Sequence, residues 1–421
     1  MAQFNVEPVQ RFAHMNAAIK RPREVTFFSF DEDHKFRLDN SSLRYYYPPN
    51  LAGGVDLSKG FESFRRFDDA NDEHLDGLLD AIAAHEQDKN SKLETDIITW
   101  RGMMTKIMTA PYSDLDGWEM NATLFEGTIF IEENHQNKLS SRSQQFSSGE
   151  RRGNMSQELM SFWGYKFETL CLLPAPWSET PREYIETREE QVVSNYAQYC
   201  SIVRTGFGKT KLIIGGEVDA VMAFKPTDKS TPTDWVELKT SAEVTNDRER
   251  TKFERKLLKF WAQSFLLGVP KIIVGYRTQQ GMLQRLEELD TQAIPETVQR
   301  HGKRLWDGQI CINFASSFLE WLKTTVTTDG VWRIQRRAKE PVIRVFRTEE
   351  TGTGDILSQK FLSWRVRLRD QESDKIAIVS ESDTIPGPIE PVDASLNEAD
   401  AVEVVALIEG SSEAKPEKIP P

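Results

Sequence analysis

Between residues 155 and 277 the sequence passes repeatedly from helical to strand-like periodicity. MSQELMSFWGYKFETLCLL (155–173) has apolar residues at helical spacing, KLIIGGEVDAVMAF (211–224) and WVELKTS (235–241) are typical of strands, and NDRERTKFERKLLKFWAQSFLLGV (246–269) predicts a long helix before the buried strand KIIVGYRT (271–278). The strands and helices do not alternate strictly, which argues against a purely parallel sheet. We therefore expect a mixed α/β fold, a single domain with a largely antiparallel or mixed β-sheet core flanked by helices.

Charge divides the chain into a body and a tail. The net charge is −12, and residues 371–421 account for −9 of it, with twelve Asp or Glu and three Lys. The nearly neutral body can therefore carry a local basic surface for a phosphate-rich partner. The tail is rich in Pro, Ser and acidic residues, which predicts disorder. We predict an N-terminal arm (1–20), an α/β domain (21–370) and an acidic disordered tail (371–421), with a loop over the polar run 134–154.

Several classes of protein are excluded by what the sequence lacks. The first residues show no secretory signal, and no window approaches the roughly 18 apolar residues of a membrane span. The three cysteines lie far apart without a CxxC pair, which indicates a reducing compartment and excludes a zinc ribbon or finger. We expect no membrane partner and a location in the cytosol or the nucleus.

The stretch GFGKT (206–210) resembles part of a phosphate-binding loop. Such a loop needs G-x-x-x-x-G-K-[ST] and opens a helix after a strand. Here Val203 occupies the first glycine position, and the strand-like KLII follows. We therefore interpret this stretch as a hairpin turn.

Two short motifs place charged residues in otherwise apolar strands. Side chains at i and i+2 of a strand lie on one face about 6.6–6.8 Å apart, so Glu217 and Asp219 point the same way, as do Glu237 and Lys239. If the two segments pair as a hairpin, three carboxylates and one ammonium meet. A divalent cation such as Mg²⁺ or Mn²⁺ would relieve the repulsion, which indicates a metal-dependent phosphoryl-transfer site. For either strand alone, solvated cross-strand Glu–Lys pairs are the alternative.

Two helices add candidates to this site. Glu168 closes the apolar run FWGYKFE and is a fourth candidate carboxylate. In the long helix, Lys252, Lys256, Lys259 and Gln263 are spaced by 4, 3 and 4 residues, which places them on one face. An ordinary solvated face is the alternative for these lysines.

The order of the motifs is more specific than any one of them. ITWRGMMTKIMTAPY, GYKFE, GEVDAV, VELKT and KFWAQSFLLGVP with VGYR behind it together resemble the DXO family of eukaryotic mRNA decapping and RNA 5′-end quality-control enzymes. RPREVTFFSFD and SSLRYYYPPN extend the resemblance over about residues 20–370. Within the family the chain is most similar to the fungal nuclear branch that partners the nuclear 5′-to-3′ exoribonuclease.

The resemblance implies roles at individual positions. It implies two Mg²⁺ or Mn²⁺ ions, held by Glu168, Glu217, Asp219, Glu237 and the backbone carbonyl of Leu238. It implies that Glu237, Lys239 and Gln263 are catalytic and that RNA 5′ phosphates are bound by Arg101, Lys239 and Gln263. Arg277 belongs either to this site or to a structural salt bridge, and Trp163 and Tyr165 either stack bases or pack in the core.

The activity implied for residues 21–370 is hydrolysis at RNA 5′ ends. The substrates would be incompletely capped, NAD-capped and 5′-triphosphate RNA, and the protein would also bind and stimulate the nuclear exoribonuclease. The alternatives are a distributive 5′-to-3′ exoribonuclease, a non-catalytic exonuclease-activating subunit, and a DNA nuclease with a D-x(n)-E-x-K site.

Overall fold

The computed structural model describes residues 1–147, 156–228 and 231–382. Residues 1–369 form one compact unit. The strands of the described residues are β1 (Ala2–Asn5), β2 (Ile19–Phe30), β3 (Phe36–Arg37), β4 (Tyr45–Tyr46), β5 (Val55–Asp56), β6 (Ile97–Trp100), β7 (Trp118–Phe125), β8 (Thr128–Glu133), β9 (Leu172–Leu173), β10 (Gln198–Phe207), β11 (Thr210–Glu217), β12 (Ala220–Val221), β13 (Trp235–Ala242), β14 (Lys271–Arg277), β15 (Met282–Asp290), β16 (Val331–Arg336) and β17 (Val342–Glu349).

The α-helices are α1 (Asp76–Lys89), α2 (Arg101–Thr109), α3 (His135–Ser147), α4 (Gln157–Cys171), α5 (Arg182–Glu186), α6 (Asp247–Leu267), α7 (Ile294–His301), α8 (Gly308–Thr325) and α9 (Gln359–Ser382). Local sequence sets the ends of the two helices that matter most here. The Ser156 hydroxyl accepts the Leu159 N–H at the start of α4, and Asn246 caps α6, which ends at Gly268 with φ +73°. No helix in the described ranges is long and apolar enough to span a membrane.

The strands form two mixed sheets, which confirms the predicted α/β class. The larger has ten strands in the order β1-β17-β16-β7-β8-β6-β11-β10-β2-β3, and the smaller has seven in the order β5-β15-β14-β13-β12-β4-β9. Most neighbours are antiparallel, but β6 is parallel to β8 and β11, β13 is parallel to β14, and β12 is parallel to β4. Consecutive strands β11 and β12 belong to different sheets, so the chain crosses between the sheets there.

Alternating apolar residues on the strands bury both faces of the larger sheet. In β11, Leu212 and Ile214 belong to a core cluster with α2, α6 and α8, whereas Ile213 belongs to a cluster with α1 and α9. The first cluster also includes Ile272 of β14, so α6 packs between the two sheets. On the far face of the smaller sheet, Phe167 of α4 packs with Val236 and other strand residues.

GFGKT forms the hairpin turn expected from the sequence. Phe207 pairs with Thr210, so Gly208 and Lys209 make a two-residue connection between β10 and β11. Gly208 has φ +55°, and a Cβ there would lie 2.5 Å from Ser316 Oγ. Positive φ and close packing explain glycine at this position without any phosphate.

Two local expectations were wrong. The polar run expected as a loop from residue 134 contains α3, because Asn134 Oδ1 accepts the Asn137 N–H and Arg142 of α3 pairs with Asp69 at 2.7 Å. Residues 148–154 of that run lie outside the described residues. The single strand expected over 211–224 is divided into β11 and β12 by Val218 and Asp219, since β12 pairs with β13 and β4 of the smaller sheet.

The described residues near the two chain ends form regular secondary structure. Within the predicted N-terminal arm, β1 pairs with β17 at the edge of the larger sheet, and Val6 and Phe12 are buried. Helix α9 runs to Ser382, past the predicted start of the tail at residue 371. Residues 383–421, which make up most of that tail, lie outside the described residues.

Candidate active site

The crossing between the sheets carries two of the predicted carboxylates. Glu217 is the last residue of β11, and Asp219 lies in the link before β12. Between them Val218 is buried and its N–H bonds to the Tyr199 carbonyl at 3.1 Å. The two acids therefore reach the site from a crossing point and not, as the sequence suggested, from one face of one strand.

Strand β13 supplies the next group of predicted residues. It pairs with β12 as the expected hairpin, but only at Ala220–Val236 and Val221–Trp235. Past that pairing, the Leu238 N–H bonds to Asp219 Oδ2 at 2.6 Å. Because the N–H and C=O of a strand residue point to the same side, the Leu238 carbonyl also faces Asp219. The short β12 thus leaves the backbone of Leu238 open to the site.

Glu168 reaches the site from the last turn of α4. The helix is fixed on the smaller sheet by close packing: a Cβ at Gly275 of β14 would lie 2.7 Å from the Phe167 ring. The next residue, Glu168, is half-buried and its pKa is raised well above the usual value. Burial is the main cause, followed by the charges of Asp219 and Glu217. The four predicted metal-binding carboxylates therefore act on one another electrostatically.

The carboxylates carry more negative charge than their surroundings neutralise. Burial, followed by neighbouring carboxylates, raises the pKa of Asp219 to about 7, and burial also raises that of Glu217. Glu237 differs: burial favours its neutral form, but Lys239 and Arg101 outweigh this and lower its pKa. Four carboxylates face two cations, and a buried excess of negative charge with hard oxygen donors fits a divalent cation.

The two cations are tied to the same carboxylate. Lys239 Nζ lies 2.5 Å from Glu237 Oε1, and Arg101 Nη1 lies 3.3 Å from Glu237 Oε2. Arg101 Nη1 also donates to the Glu217 carbonyl at 3.0 Å. Gly216 makes room for this arrangement, because a Cβ there would lie 2.8 Å from Arg101 Cβ and 3.0 Å from Leu267 Cδ1. The position of Arg101 therefore depends on the carboxylates as well as on any substrate.

Gln263 lies on the face of α6 that points toward this arginine. It is half-buried and one turn before Leu267, whose side chain approaches Gly216. Within the described ranges its side chain makes no hydrogen bond with another residue. Its amide thus remains available to a ligand.

Two sequence candidates lie in the packing of the smaller sheet. Trp163 is 1% exposed and donates to Ser58 Oγ at 2.9 Å, which identifies it as a core residue. The Arg277 guanidinium lies 4.1 Å from the centroid of the Trp163 ring and donates to the Thr278 carbonyl. Arg277 therefore makes a cation–π contact, which neither alternative drawn from the sequence included.

A tighter acidic group, which the sequence analysis missed, lies elsewhere. In the described part of the chain, Asp72, His74 and Glu132 are the one set of His, Cys or acidic side chains whose ligand atoms all lie within 4.8 Å. His74 Nδ1 is 2.9 Å from Glu132 Oε2, and Asn121 donates to the other Glu132 oxygen at 3.0 Å. In the described part of the chain, no three of the predicted carboxylates bring their oxygens this close together.

A cleft of about 540 Å³ opens beside the carboxylates. We call it the aromatic cleft, because its lining includes His34, Phe61, Phe64, Phe67 and Tyr165. Tyr165 and His34 are close enough to Glu217 for its charge to act on them. Of these residues only Tyr165 was a candidate from the sequence. The recurrence of phenylalanine at every third position from 61 to 67 was the available signal.

The chain is similar in sequence and in structure to known nucleases. A family model described as "RAI1 like PD-(D/E)XK nuclease" matches residues 20–362. The Decapping nuclease RAI1 of Aspergillus fumigatus is 58% identical over 364 residues, which are 86% of this chain and 98% of the relative. Among solved structures, Candida albicans Rai1 in complex with pU5-Mn²⁺ has a TM-score of 0.78 and 30% identity, covering 83% of this chain and 96% of that one. Scheffersomyces stipitis Rai1 with (3'-NADP)+ and calcium ion has a TM-score of 0.78 and 28% identity, covering 87% and 100%.

Proposed function

Since the chain belongs to the RAI1-like PD-(D/E)XK nuclease family, within the DXO group that its motifs resemble, we propose that it is a metal-dependent hydrolase of RNA 5′ ends. Its substrates are incompletely capped RNA, NAD-capped RNA and 5′-triphosphate RNA. From the 5′-triphosphate RNA it releases pyrophosphate. The observation that carries the proposal is the meeting of Glu168, Glu217, Asp219 and Glu237 beside Lys239 at the crossing between the two sheets. Carboxylates that can hold divalent ions, beside an ammonium that can meet a phosphate oxygen, suit metal-assisted attack of water on a phosphorus atom.

The four carboxylates and the Leu238 carbonyl form the donor set for two divalent ions, Mg²⁺ or Mn²⁺. When bound, such ions lower the pKa of water and neutralise charge on the phosphoryl oxygens. Support comes from the burial of these side chains, which, with the charges of neighbouring carboxylates, raises the pKa of Glu168, Glu217 and Asp219. Support also comes from the Mn²⁺ and calcium named with the two Rai1 structures.

Lys239 is positioned to stabilise charge that develops on the scissile phosphate. Burial alone would lower its pKa, but Glu237 and Asp219 outweigh burial and raise it, so the ammonium stays charged. An ammonium held in a site with little water stabilises a developing phosphoryl charge more than it would in bulk solvent. The Gln263 amide, which makes no hydrogen bond within the described residues, orients the attacking water or a phosphate oxygen.

Arg101 has two roles in this proposal. It holds Glu237 and the Glu217 carbonyl in place. It is also the first residue of α2, where the unpaired backbone N–H groups of a helix N-terminus favour phosphate oxygens. We therefore retain it as the group that binds the RNA 5′ phosphates.

The RNA body follows the α6 face that carries the predicted lysine stripe. Toward the C-terminal end of this face Gln263 and Leu267 lie against the site, while Lys252, Lys256 and Lys259 are exposed toward the other end. One helix face thus passes from the site to solvent and becomes basic as it does so. Lys259 pairs with Asp116 at 2.7 Å, so its charge is partly neutralised. The attraction for phosphates therefore comes from the lysines of the stripe acting together.

The second part of the proposal is binding and stimulation of the nuclear 5′-to-3′ exoribonuclease, with a nuclear location. Trp177 is 62% exposed and follows β9, an edge strand of the smaller sheet. An exposed tryptophan beside an unpaired strand edge is typical of a protein interface. Trp177→Ala should therefore weaken co-purification with the exoribonuclease and leave 5′-end hydrolysis unchanged, whereas Leu115→Ala, at another exposed apolar position, should affect neither.

The proposed activity is tested by incubating the protein with 5′-triphosphate, GpppN-capped, m⁷GpppN-capped, NAD-capped and 5′-monophosphate RNA, with and without Mg²⁺ or Mn²⁺. We expect metal-dependent release of pyrophosphate, cap dinucleotide or NAD that Asp219→Asn abolishes. No release from any end would refute the hydrolase and favour the exonuclease-activating subunit. Decay of the monophosphate RNA would show distributive exoribonuclease activity, which the pU5 ligand of the Candida albicans structure makes worth testing.

A further inference from the structure

The aromatic cleft meets the candidate metal site along one face of α4. Ser161, Tyr165 and Glu168 are spaced by four and three residues, so they share that face. Ser161 and Tyr165 line the cleft, and Glu168 belongs to the carboxylate set. A helix rises about 1.5 Å per residue, so this face extends roughly 10 Å from Glu168 to Ser161. A group bound in the cleft therefore lies within one nucleotide or two of the scissile phosphate.

The aromatic rings that line the cleft are only partly covered by other residues. Phe61, Phe64 and Phe67 are half-buried, whereas Phe162, which contacts the rings of Phe61 and Phe64, is fully buried. Phe64 packs against Tyr165 with ring centroids 5.5 Å apart and 31° between planes. The rings therefore support one another and still present surface to the cavity.

His34 and Phe67 form a second pair of stacked rings, and the contacts of His34 fix its position. Its ring lies 3.8 Å from that of Phe67 and 4.2 Å from that of Phe30. Its nitrogens bond to the Tyr196 carbonyl at 2.9 Å and to Glu73 at 3.0 Å. A ring held on both faces and at both nitrogens keeps its orientation before any ligand arrives.

The charged groups of the cleft already neutralise one another. Arg142 pairs with Asp69 at 2.7 Å, and Arg66 pairs with Glu158 at 3.2 Å. A phosphate entering the cleft would have to displace a carboxylate from an arginine, whereas an uncharged flat ring would not. The cavity thus favours an uncharged aromatic group, and its volume of about 540 Å³ is in the range of small-molecule sites.

We propose that the aromatic cleft binds one unpaired nucleobase next to the scissile phosphate, stacked on the rings of Phe64 and Tyr165. This inference rests on the proposed function. The base belongs either to the RNA chain that remains after cleavage, which we call the RNA body, or to the nucleoside that leaves with the 5′ end. In both cases the group that enters the cleft is a flat aromatic base. Stacking recognises any base, so the cleft selects for an unpaired end and not for sequence.

The test measures affinity and not turnover. Fluorescence anisotropy in the presence of Ca²⁺ gives the Kd of the full-length protein for each RNA. The first series is 5′-phosphorylated pentauridylate and the same RNA with an abasic nucleotide at each position in turn. The second series is capped RNA with and without the cap base. The variants are Phe64→Leu and Tyr165→Leu, which remove a ring, and Phe64→Trp, which restores one. Phe224→Leu is the control, because Phe224 is 70% exposed and does not line the cleft.

For the wild type, removing one particular base should weaken binding roughly 5- to 100-fold, the range for loss of one stacked base. Phe64→Leu and Tyr165→Leu should bind intact and abasic RNA equally, while Phe64→Trp and the control should keep the difference. If affinity falls when a base of the RNA chain is removed, the stacked base belongs to the RNA body. If affinity falls when the cap base is removed, the stacked base belongs to the leaving nucleoside. If wild-type affinity ignores every base, or if the ring deletions weaken intact and abasic RNA alike, the cleft is not a stacking site. Release of 5′ ends by the same wild-type preparation tests the hydrolase separately.

Discussion

Asp219→Asn is expected to stabilise the metal-free protein at neutral pH and to abolish its stabilisation by Mn²⁺. Asp219 lies among Glu168, Glu217 and Glu237, and burial followed by these charges raises its pKa from 3.8 to about 7. Asparagine has nearly the same shape, and its amide oxygen can still accept the Leu238 N–H that now bonds to Asp219 Oδ2. The substitution therefore removes one buried negative charge and keeps the local hydrogen bond.

The size of the effect follows from the pKa of Asp219. A change from 3.8 to about 7 corresponds to ~4 kcal/mol at about 1.4 kcal/mol per tenfold change in acidity. Because the folded state holds the proton more tightly than the unfolded state, this group lowers the free energy of unfolding as pH rises from about 4 to about 7. Above that range its contribution is constant. Glu168 and Glu217, whose pKa values are also raised, act in the same direction, and Glu237, whose pKa is lowered, acts in the opposite one.

The assay is urea denaturation from pH 4.5 to pH 8 in EDTA, followed by titration with MnCl₂ at pH 8. The Asn variant should be more stable than wild type by up to ~4 kcal/mol at pH 8 and by only about 1 kcal/mol at pH 4.5. Mn²⁺ at one hundred times its Kd should add about 2.7 kcal/mol to the wild type and much less to the variant. Asp329→Asn, at an exposed position away from the site, is the control. A variant no more stable than wild type at pH 8, or one with the full Mn²⁺ response, would refute the reasoning.

Four further outcomes are expected. Lys239→Ala should lower the single-turnover rate of 5′-end release about 10²- to 10³-fold, the scale for losing one transition-state donor; a loss below tenfold would return Lys239 to a structural role. Arg365→Met leaves Glu86 charged and buried, since the pair is 2.7 Å apart and nearly inaccessible, so urea denaturation should show a loss of about 3–5 kcal/mol; an unchanged midpoint contradicts this. Lys252→Ala should weaken RNA binding and reduce the slope of log Kd against log salt by about 1; an unchanged slope removes Lys252 from the RNA path. Deleting residues 383–421 should leave 5′-end release intact, since the tail carries none of the motifs, and a folded but inactive truncation would show otherwise.

Local pattern was sufficient to predict most of the elements around the site. The alternation of Leu212, Ile213 and Ile214 predicts a strand buried on both faces, and these residues indeed belong to opposite cores. Helix α6 was predicted almost to its ends, because its period, its Asn246 cap and its terminal Gly268 lie within the segment itself. Information of this kind is encoded by neighbours a few residues apart.

The crossing at Val218 and Asp219 could not be predicted in the same way. In sequence the segment resembles one continuous strand, and the change of sheet depends on pairing partners at Tyr45 and Trp235. Helix α3 is a second case. Its residues are mostly polar, so they show no apolar period, and it is held by ion pairs with Asp69, which is far away in the sequence. In both places a tertiary contact outweighs the local pattern.

The sequence by itself determined the mixed α/β class, the family and the set of charged residues from which the site is assembled, because each of these depends on residue type and order. The tertiary structure alone decided how that set meets. It brought Glu168, Glu217, Asp219 and Glu237 together from one helix and two sheets, turned Lys239 and Arg101 toward Glu237, and opened the aromatic cleft beside them. The physical reason is that burial and the distance between charges fix a pKa or a binding surface, and both are properties of segments brought together by folding.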